Sequence, residues 1–230
     1  MEKKLLTTVV AIDGVSGSGK SSTAKRLAQT LNAFYVDTGA MYRAVTYFCL
    51  ESGFPLSEEK KIAKLVSKLH FDMNSDGELI VETQVLGDKL RTPEISRHVS
   101  NYCQIPAVRE QLVLAQRALG LSRPSVVDGR DIGTVVFPDA AYKFFFWASP
   151  EIRAERRFQE LQKKGIEANY SEVLENLIER DEKDTGRTLS PLKKADDAIL
   201  IDTSKVSFEQ QLEEILGHIP VENFVTLQKS

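Results

Sequence analysis

The residues that could most clearly do chemistry lie near the amino terminus, at 14–21. There the sequence reads G-x-x-x-x-G-K-S, after an apolar run at 5–12 and before a stretch with helical spacing at 24–31. A strand, a glycine turn and a helix N-terminus therefore follow one another. Glycines let successive backbone N–H groups point at one anion, and the helix N-terminus adds further unpaired N–H groups. The pattern is typical of a phosphate-binding loop and predicts that the chain binds a nucleoside triphosphate.

The side chains of this loop have separate expected roles. Lys20 would reach the β- and γ-phosphates, and the Ser21 hydroxyl would ligate Mg²⁺. The alternative is a strand–helix turn that is merely rich in glycine. The residues expected to surround the nucleotide are Gly14, Val15, Ser16, Gly17, Ser18, Gly19, Lys20, Ser21 and Ser22.

Composition narrows the class of protein. The 230 residues are 42% hydrophobic and 27% charged, with a net charge of −3. These values indicate a globular protein and argue against a general binder of nucleic acid or membrane surfaces. No apolar run approaches the roughly 20 residues that a membrane helix needs. The first apolar run lacks a cleavage pattern, so we expect no signal peptide. Cys49 and Cys103 have no metal spacing and are expected to be free thiols in the cytoplasm.

Strands and helices alternate along most of the chain, which predicts a central parallel sheet flanked by helices. Residues 62–104 differ, because short alternating runs broken by 74–77 and by Gly87 predict a small antiparallel meander grafted into this fold. The run 141–148 is expected to be a strand buried on both faces. Thr92 and Ser149, each followed by proline, are expected to cap helices.

Two further strand ends carry polar groups where α/β folds place their ligands. Thr38 and Arg43 follow a short strand, and Asp128 ends an apolar strand at 125–127. Thr38 could instead cap a helix, and Arg43 could be solvated. Asp128 is expected to lie on the Mg²⁺ side of the site, although a turn residue before Gly129 is the alternative.

Between 149 and 191 the chain is rich in arginine. Arg153, Arg156 and Arg157 crowd one side of one predicted helix, and Arg180, Asp184 and Arg187 share a face of the next if that helix persists to 187. A solvated surface helix is the alternative. Since a triphosphate site needs positive charge and exclusion of water, we expect an arginine lid.

Together these segments resemble the bacterial-type cytidylate kinase family of nucleoside monophosphate kinases. The resemblance rests on 14–22, 37–43, 128–138, 153–157 and 180–187, and it runs nearly from end to end. The stretch 128–138, DGRDIGTVVFP, is its most specific part.

The resemblance implies a phosphate-loop fold of a single domain, 1–230, and transfer of a phosphoryl group from ATP with Mg²⁺ to CMP or dCMP by a cytoplasmic monomer. Its core would be 1–37, 105–150 and 195–230, with an acceptor-binding lobe at 38–104 and a helical lid at 151–194.

The resemblance also implies roles for single residues. Ser100, Arg109 and Asp131 would read cytosine, because a carboxylate accepts from its exocyclic amine and repels the carbonyl of uracil. Thr38 would also bind the acceptor. The phosphate of the acceptor would contact Arg43, Arg130 and Arg187, and the ribose of the acceptor would contact Arg180 and Asp184. The residues expected to act on the transferred group are Lys20, Arg153, Arg157 and Arg187.

Two other functions stay open at this stage. A kinase of AMP, shikimate or dephospho-coenzyme A could share the core but not the Arg109 and Asp131 pair. A nucleotide-dependent switch protein would need a guanine-reading Asn-Lys-x-Asp, which the sequence lacks.

Overall fold

A computed structural model describes residues 6–74, 77–220 and 224, and contains two sheets. The strands are β1 (Leu6–Gly14), β2 (Phe34–Asp37), β3 (Phe71–Met73), β4 (Leu79–Val81), β5 (Gln84–Val85), β6 (Ser125–Gly129), β7 (Ala140–Trp147) and β8 (Ile199–Asp202). The larger sheet is parallel throughout, in the order β2-β6-β1-β7-β8. This confirms the predicted α/β fold with a central parallel sheet.

Helices cover both faces of this sheet. They are α1 (Lys20–Leu31), α2 (Thr38–Glu51), α3 (Glu59–Val66), α4 (Pro93–Tyr102), α5 (Pro106–Leu121), α6 (Pro150–Lys163), α7 (Tyr170–Thr185) and α8 (Phe208–Gly217). None of the helices within the described ranges is both long and apolar enough to cross a bilayer.

The central strand β1 explains the unbroken apolar run in the sequence. Val9 and Ala11 belong to a core shared with α2 and α5, whereas Val10 and Ile12 belong to a second core shared with α1 and α8. Successive side chains of a strand point to opposite faces, so a strand covered on both sides is apolar at every position. The two cores hold the carboxyl end of β1 in a fixed place.

The smaller sheet, β3-β4-β5, confirms the predicted antiparallel meander. Its third strand is Gln84–Val85, and the residues after Gly87, which we expected to continue it, form a 3₁₀ helix, Gly87–Arg91. Residues 75 and 76 of the predicted turn lie outside the described part of the chain, as does the amino-terminal segment 1–5.

Local capping accounts for several helix starts. Thr92 and Ser149 accept hydrogen bonds from the backbone N–H groups of Ile95 and Ile152, and each precedes a proline in the first turn. This is the predicted arrangement. The helix after β2 differs from one of our alternatives, because the Asp37 carboxylate is its cap and Thr38 is its first residue.

The prediction that 141–148 is buried on both faces is only partly right. Phe144 and Phe146 are fully buried, but the Trp147 side chain is 40% exposed at the end of β7. The buried Lys143 ammonium is satisfied by the carboxylate of Asp197 and the carbonyl of Pro138. An apolar run therefore located the strand, but its end passes beyond the covering helices.

A tight contact in the first core fixes α5 against the turn that follows β6. A Cβ atom added at Gly120 would lie 2.6 Å from Cζ of Phe137. We expect Gly120→Ala to lower the free energy of unfolding by about 1–3 kcal/mol because the contact is overpacked. The measurement is urea denaturation.

Gly217→Ala is the matched control, since this glycine also lies in the last turn of a helix and an added Cβ meets nothing within 4 Å. It should leave stability unchanged or raise it by up to about 1 kcal/mol. Equal effects of the two variants would contradict the packing argument.

Candidate active site

The loop between β1 and α1 has the backbone conformation that the glycine pattern predicts. Gly17 and Gly19 have φ angles of 74° and 85°, which only glycine adopts readily. A Cβ atom at Gly14 would lie 2.2 Å from the carbonyl oxygen of Phe146. The loop can therefore approach β7 only because this position carries no side chain.

Several side chains outside the loop hold it in place. Arg153 of α6 is almost fully buried and donates to the carbonyl oxygens of Ser16 (2.9 Å) and Ala148 (2.8 Å). The same guanidinium pairs with Asp181 of α7 at 2.7 Å, and Asp181 accepts from the Ser16 N–H at 3.4 Å. On the other side Thr203 donates to the Ser18 carbonyl at 2.9 Å. The loop is thus supported from α6, α7 and the residue that follows β8.

Lys20 is buried at the start of α1, where its ammonium donates to the Val15 carbonyl at 3.2 Å. Burial and the nearby Arg130 lower the pKa of Lys20 well below its ordinary value of 10.5, and Asp128 opposes the shift. An anion bound in the loop would favour the charged ammonium. A negatively charged ligand in the loop would therefore stabilise the protonated form of Lys20.

Asp128 joins three elements at the carboxyl end of the sheet. Its side chain accepts hydrogen bonds from Ser21 (2.6 Å) and Tyr35 (3.2 Å), and its backbone carbonyl accepts from Thr38 (2.7 Å). Burial, and then the neighbouring Asp37, raise the pKa of Asp128. A buried carboxylate next to a second one would be stabilised by a cation.

Four arginines predicted to bind the acceptor lie near one another, and three of them act on the buried carboxylate of Asp184. The four are Arg43, Arg130, Arg180 and Arg187. Asp184 pairs with Arg130 at 2.8 Å and lies 3.7 Å from a nitrogen of Arg187. Burial and Arg130 lower the pKa of Arg180 to about 10.

These arginines retain unused donors. Nε of Arg43, Nε of Arg180 and one terminal nitrogen of Arg187 are buried without a hydrogen-bond partner in the described residues. Arg43 also pairs with Asp37 at 3.1 Å, so it is not the freely solvated side chain of one alternative. Positive charge and unused donors together fit an anionic ligand.

Arg109 and Asp131 form a buried ion pair, the guanidinium of Arg109 donating to the carboxylate of Asp131. The guanidinium also lies 5.4 Å from the ring centre of Tyr42, whose buried hydroxyl has no partner among the described residues. Ser100 lies half-buried on α4, where the Gln104 side chain donates to its backbone carbonyl at 3.3 Å. The structure thus brings together two of the three predicted base-reading residues.

The three arginines of α6 do not act as one group. Arg153 lies beneath the phosphate-binding loop, whereas Arg156 donates to the Thr203 carbonyl and Arg157 is half exposed and pairs with Glu160. The three therefore have different partners, although all of them lie on α6. The role of Arg157 on the transferred group stays a prediction.

Sequence reasoning missed Asp13, which is fully buried at the carboxyl end of β1. It accepts from the backbone N–H groups of Ile132 and Gly133, both at 2.7 Å. Burial raises the pKa of the Asp13 carboxyl to about 7, although these two hydrogen bonds oppose the shift. A charged residue at the end of an otherwise apolar central strand was the signal that could have revealed it.

Comparison with known proteins gives concordant matches. A family profile described as cytidylate kinase matches residues 10–221. A cytidylate kinase of Clostridioides difficile is 45% identical over 92% of this chain and 97% of its own length. One of Caldanaerobacter subterraneus subsp. tengcongensis is 47% identical over 91% and 93%. One of Clostridium perfringens is 44% identical over 94% and 98%.

The position of Arg153 leads to a prediction about stability. Arg153→Ala would leave Asp181 and two buried carbonyl oxygens without their donor, and we expect the free energy of unfolding to fall by about 3 kcal/mol. Chemical denaturation measures the change.

Arg157→Ala is the control on the same helix. Its guanidinium is half exposed and bonds Glu160, so stability should change by less than about 0.5 kcal/mol. A stable Arg153→Ala protein would contradict the supporting role of Arg153.

Proposed function

The chain belongs to the cytidylate kinase family, and on that premise we propose that it transfers the γ-phosphoryl group of ATP to CMP or dCMP. The products are ADP and CDP or dCDP. The observation that carries the proposal is the juxtaposition of a phosphate-binding loop with two distinct polar clusters. One is the arginine cluster around Asp184, and the other is the buried Arg109 and Asp131 pair.

The donor nucleotide is assigned to the loop between β1 and α1. The nine residues 14–22 would surround its phosphates with backbone N–H groups, and Lys20 would hold the β- and γ-phosphates. This assignment is supported by the left-handed backbone of Gly17 and Gly19 and by the lowered pKa of Lys20, which a bound anion would raise.

Ser21 and Asp128 are proposed to hold Mg²⁺. Their hydroxyl and carboxylate oxygens are the hard donors that this ion prefers, and the two side chains lie together, with the Ser21 hydroxyl 2.6 Å from a carboxylate oxygen of Asp128. No group of three or more potential side-chain ligands occurs in the described residues. Mg²⁺ at Ser21 and Asp128 would be held by these one or two protein ligands together with substrate phosphates. The ion would neutralise charge on the donor phosphates.

The acceptor is assigned to the arginine cluster around Asp184 and to the residues beside it. Arg43, Arg130 and Arg187 would bind its phosphate, and Arg180 and Asp184 its ribose. Thr38, whose hydroxyl donates to the Asp128 carbonyl, would also contact the acceptor. On this proposal 38–104 is the acceptor-binding lobe and 151–194 the lid.

The base would be read by Arg109 and Asp131, with Ser100 as a third contact. The Asp131 carboxylate accepts from the exocyclic amine of cytosine, whereas it would face the carbonyl of uracil with like charge. Burying two acceptors against each other is costly, so UMP should be a poor substrate.

The reaction needs little from the protein beyond position and charge. An oxygen of the acceptor phosphate forms a bond to the γ-phosphorus while the bond to the β–γ bridging oxygen breaks. The attacking group is already an anion, so no general base is required. Lys20 and Arg187, with Arg153 and Arg157 of α6, are proposed to stabilise charge on the transferred group. Closure of the lid would exclude water as a competing acceptor.

The test of the proposed function is a panel of nucleoside monophosphates assayed with ATP and Mg²⁺, using the native chain and Asp131→Asn. The native chain should prefer CMP and dCMP. In the variant the amide oxygen would face Arg109 and its NH₂ group the base. We therefore expect kcat/KM for CMP relative to UMP to fall by at least about tenfold.

Glu160→Gln is a suitable control, because it changes one carboxylate to an amide at a half-exposed position on α6. It should keep the native preference. A native chain that phosphorylates AMP as well as CMP would overturn the acceptor assignment, and unchanged selectivity in Asp131→Asn would overturn the base-reading scheme.

The environment of Lys20 predicts that ATP affinity depends on pH. In the free protein burial and Arg130 lower the pKa of Lys20, and the bound polyphosphate would raise it again. Binding should therefore take up a proton at and above neutral pH, and affinity should weaken as pH rises there. The pH at which this happens should lie well below the ordinary lysine value of 10.5.

Calorimetric titration in buffers of different ionisation enthalpy, without divalent cations, measures this uptake. Lys20→Arg keeps a charge at all accessible pH values and should abolish it. Equal uptake in both proteins would assign the proton to another group.

A further inference from the structure

Asp13 lies where the two halves of the proposed site meet. It is the residue of β1 before Gly14, and it pairs in register with Gly129 of β6 and Phe145 of β7. The phosphate-binding loop therefore begins at the next residue along the chain. Asp131 lies only two residues beyond Gly129, in the segment that follows β6.

The carboxylate of Asp13 caps the turn that follows Asp131. This turn, Ile132–Val136, is π-helical, and no side chain of its own N-cap residue bonds its first N–H groups. The N–H groups of Ile132 and Gly133 instead donate to separate oxygens of Asp13, both at 2.7 Å. Free N–H groups at the start of a helical turn need such acceptors when buried. The cap thus comes from a residue more than a hundred positions away in sequence.

Charge pairing does not explain why a carboxylate is buried here. Of the charged groups around Asp13, Asp131 disfavours its ionised form, and Lys20 favours it only weakly. The ammonium of Lys143 is directed to Asp197 and Pro138, and only the alkyl chain of Lys143 lies near Gly133. Burying an acid without a cation is unfavourable. What Asp13 uniquely provides is two acceptor oxygens side by side.

We propose that Asp13 is a positioning residue for base recognition, which fixes the backbone after Asp131 so that the Asp131 carboxylate faces the acceptor base. This inference rests on the proposed function. Arg109 holds the Asp131 side chain from one direction, and Asp13 holds the peptide that follows it from the other. Because Asp13 also precedes Gly14, the base-reading carboxylate is tied to the strand that presents the donor phosphates.

Asp13→Asn tests this role with little change in volume. An amide offers only one acceptor oxygen, so its NH₂ group would confront one of the two N–H donors and the turn would shift. We expect kcat/KM for CMP relative to UMP to fall about tenfold, since displacements near 1 Å can cost up to a hundredfold. The dissociation constant for ATP should change by less than about threefold, because the phosphate-binding loop keeps its support from Arg153 and Thr203.

Ser125→Ala is the matched control. It removes a fully buried hydrogen bond of 2.7 Å, from Ser125 to the Gly120 carbonyl, at the opposite end of β6. It should lower stability without changing the preference for CMP. A loss of selectivity in this control equal to that in Asp13→Asn would show that general destabilisation is the cause, and would overturn the inference.

A double-mutant cycle separates positioning from a general structural role. If Asp13 acts through Asp131, the Asp13→Asn, Asp131→Asn double variant should have the selectivity of Asp131→Asn alone. Independent, multiplying effects would overturn the inference. If Asp131→Asn changes selectivity and Asp13→Asn does not, the inference fails and the proposed function stands. If the native chain has no preference for CMP, the proposed function itself fails.

Gly133→Ala provides a second variant that perturbs the same contact if Asp13→Asn does not fold. An added Cβ would lie 3.4 Å from an Asp13 carboxylate oxygen and 3.2 Å from Cδ of Lys143. It should reduce the preference for CMP in the same direction and by a smaller factor. Unchanged selectivity in a folded Gly133→Ala protein would count against the role of this contact.

Discussion

The balance of charge at Asp184 is the interaction on which the arginine cluster depends. Although burial opposes it, Arg130 and Arg187 hold the pKa of this carboxyl below its ordinary value, so it stays ionised. Guanidinium groups packed together repel one another, and the lowered pKa of Arg180 records that repulsion together with burial. One carboxylate among them joins the end of α7 to Arg130, the residue that follows β6. It also leaves an excess of positive charge for an anionic ligand.

Helix α7 serves both halves of the proposed site because two of its carboxylates are one turn apart. Asp181 bonds Arg153 and the Ser16 N–H beneath the phosphate-binding loop, and Asp184 bonds Arg130 beside the acceptor cluster. Residues three apart on a helix lie on the same side of it. A movement of α7 would therefore alter both clusters together, which is the behaviour expected of a lid that responds to both nucleotides.

The spacing of the apolar residues and the positions of the glycines were enough to predict the fold, because each pattern involves only residues close together in the sequence. The burial of β1 on both faces, the proline-linked caps and the left-handed glycines all follow from neighbours in the chain. Contacts across the sheet join residues that are far apart in the sequence, so local patterns do not predict them. Nothing in the spacing of Arg153, Arg156 and Arg157 distinguishes the buried arginine from the half-exposed one, since their environments come from the loop and from β8. Asp13 was missed for the same reason, as its partners lie on a distant turn.

The ion pair of Arg109 and Asp131 is formed without any group from α6 or α7. Both residues belong to elements packed on the central sheet, α5 and the turn after β6, and neither lies on the helices proposed to close. On these assignments, the acceptor base would contact Arg109 and Asp131 before α6 and α7 move. A pyrimidine with the wrong pattern of donors would dissociate before the lid closes. Because selection of the base would precede closure, ATP would not be enclosed together with an acceptor that cannot react.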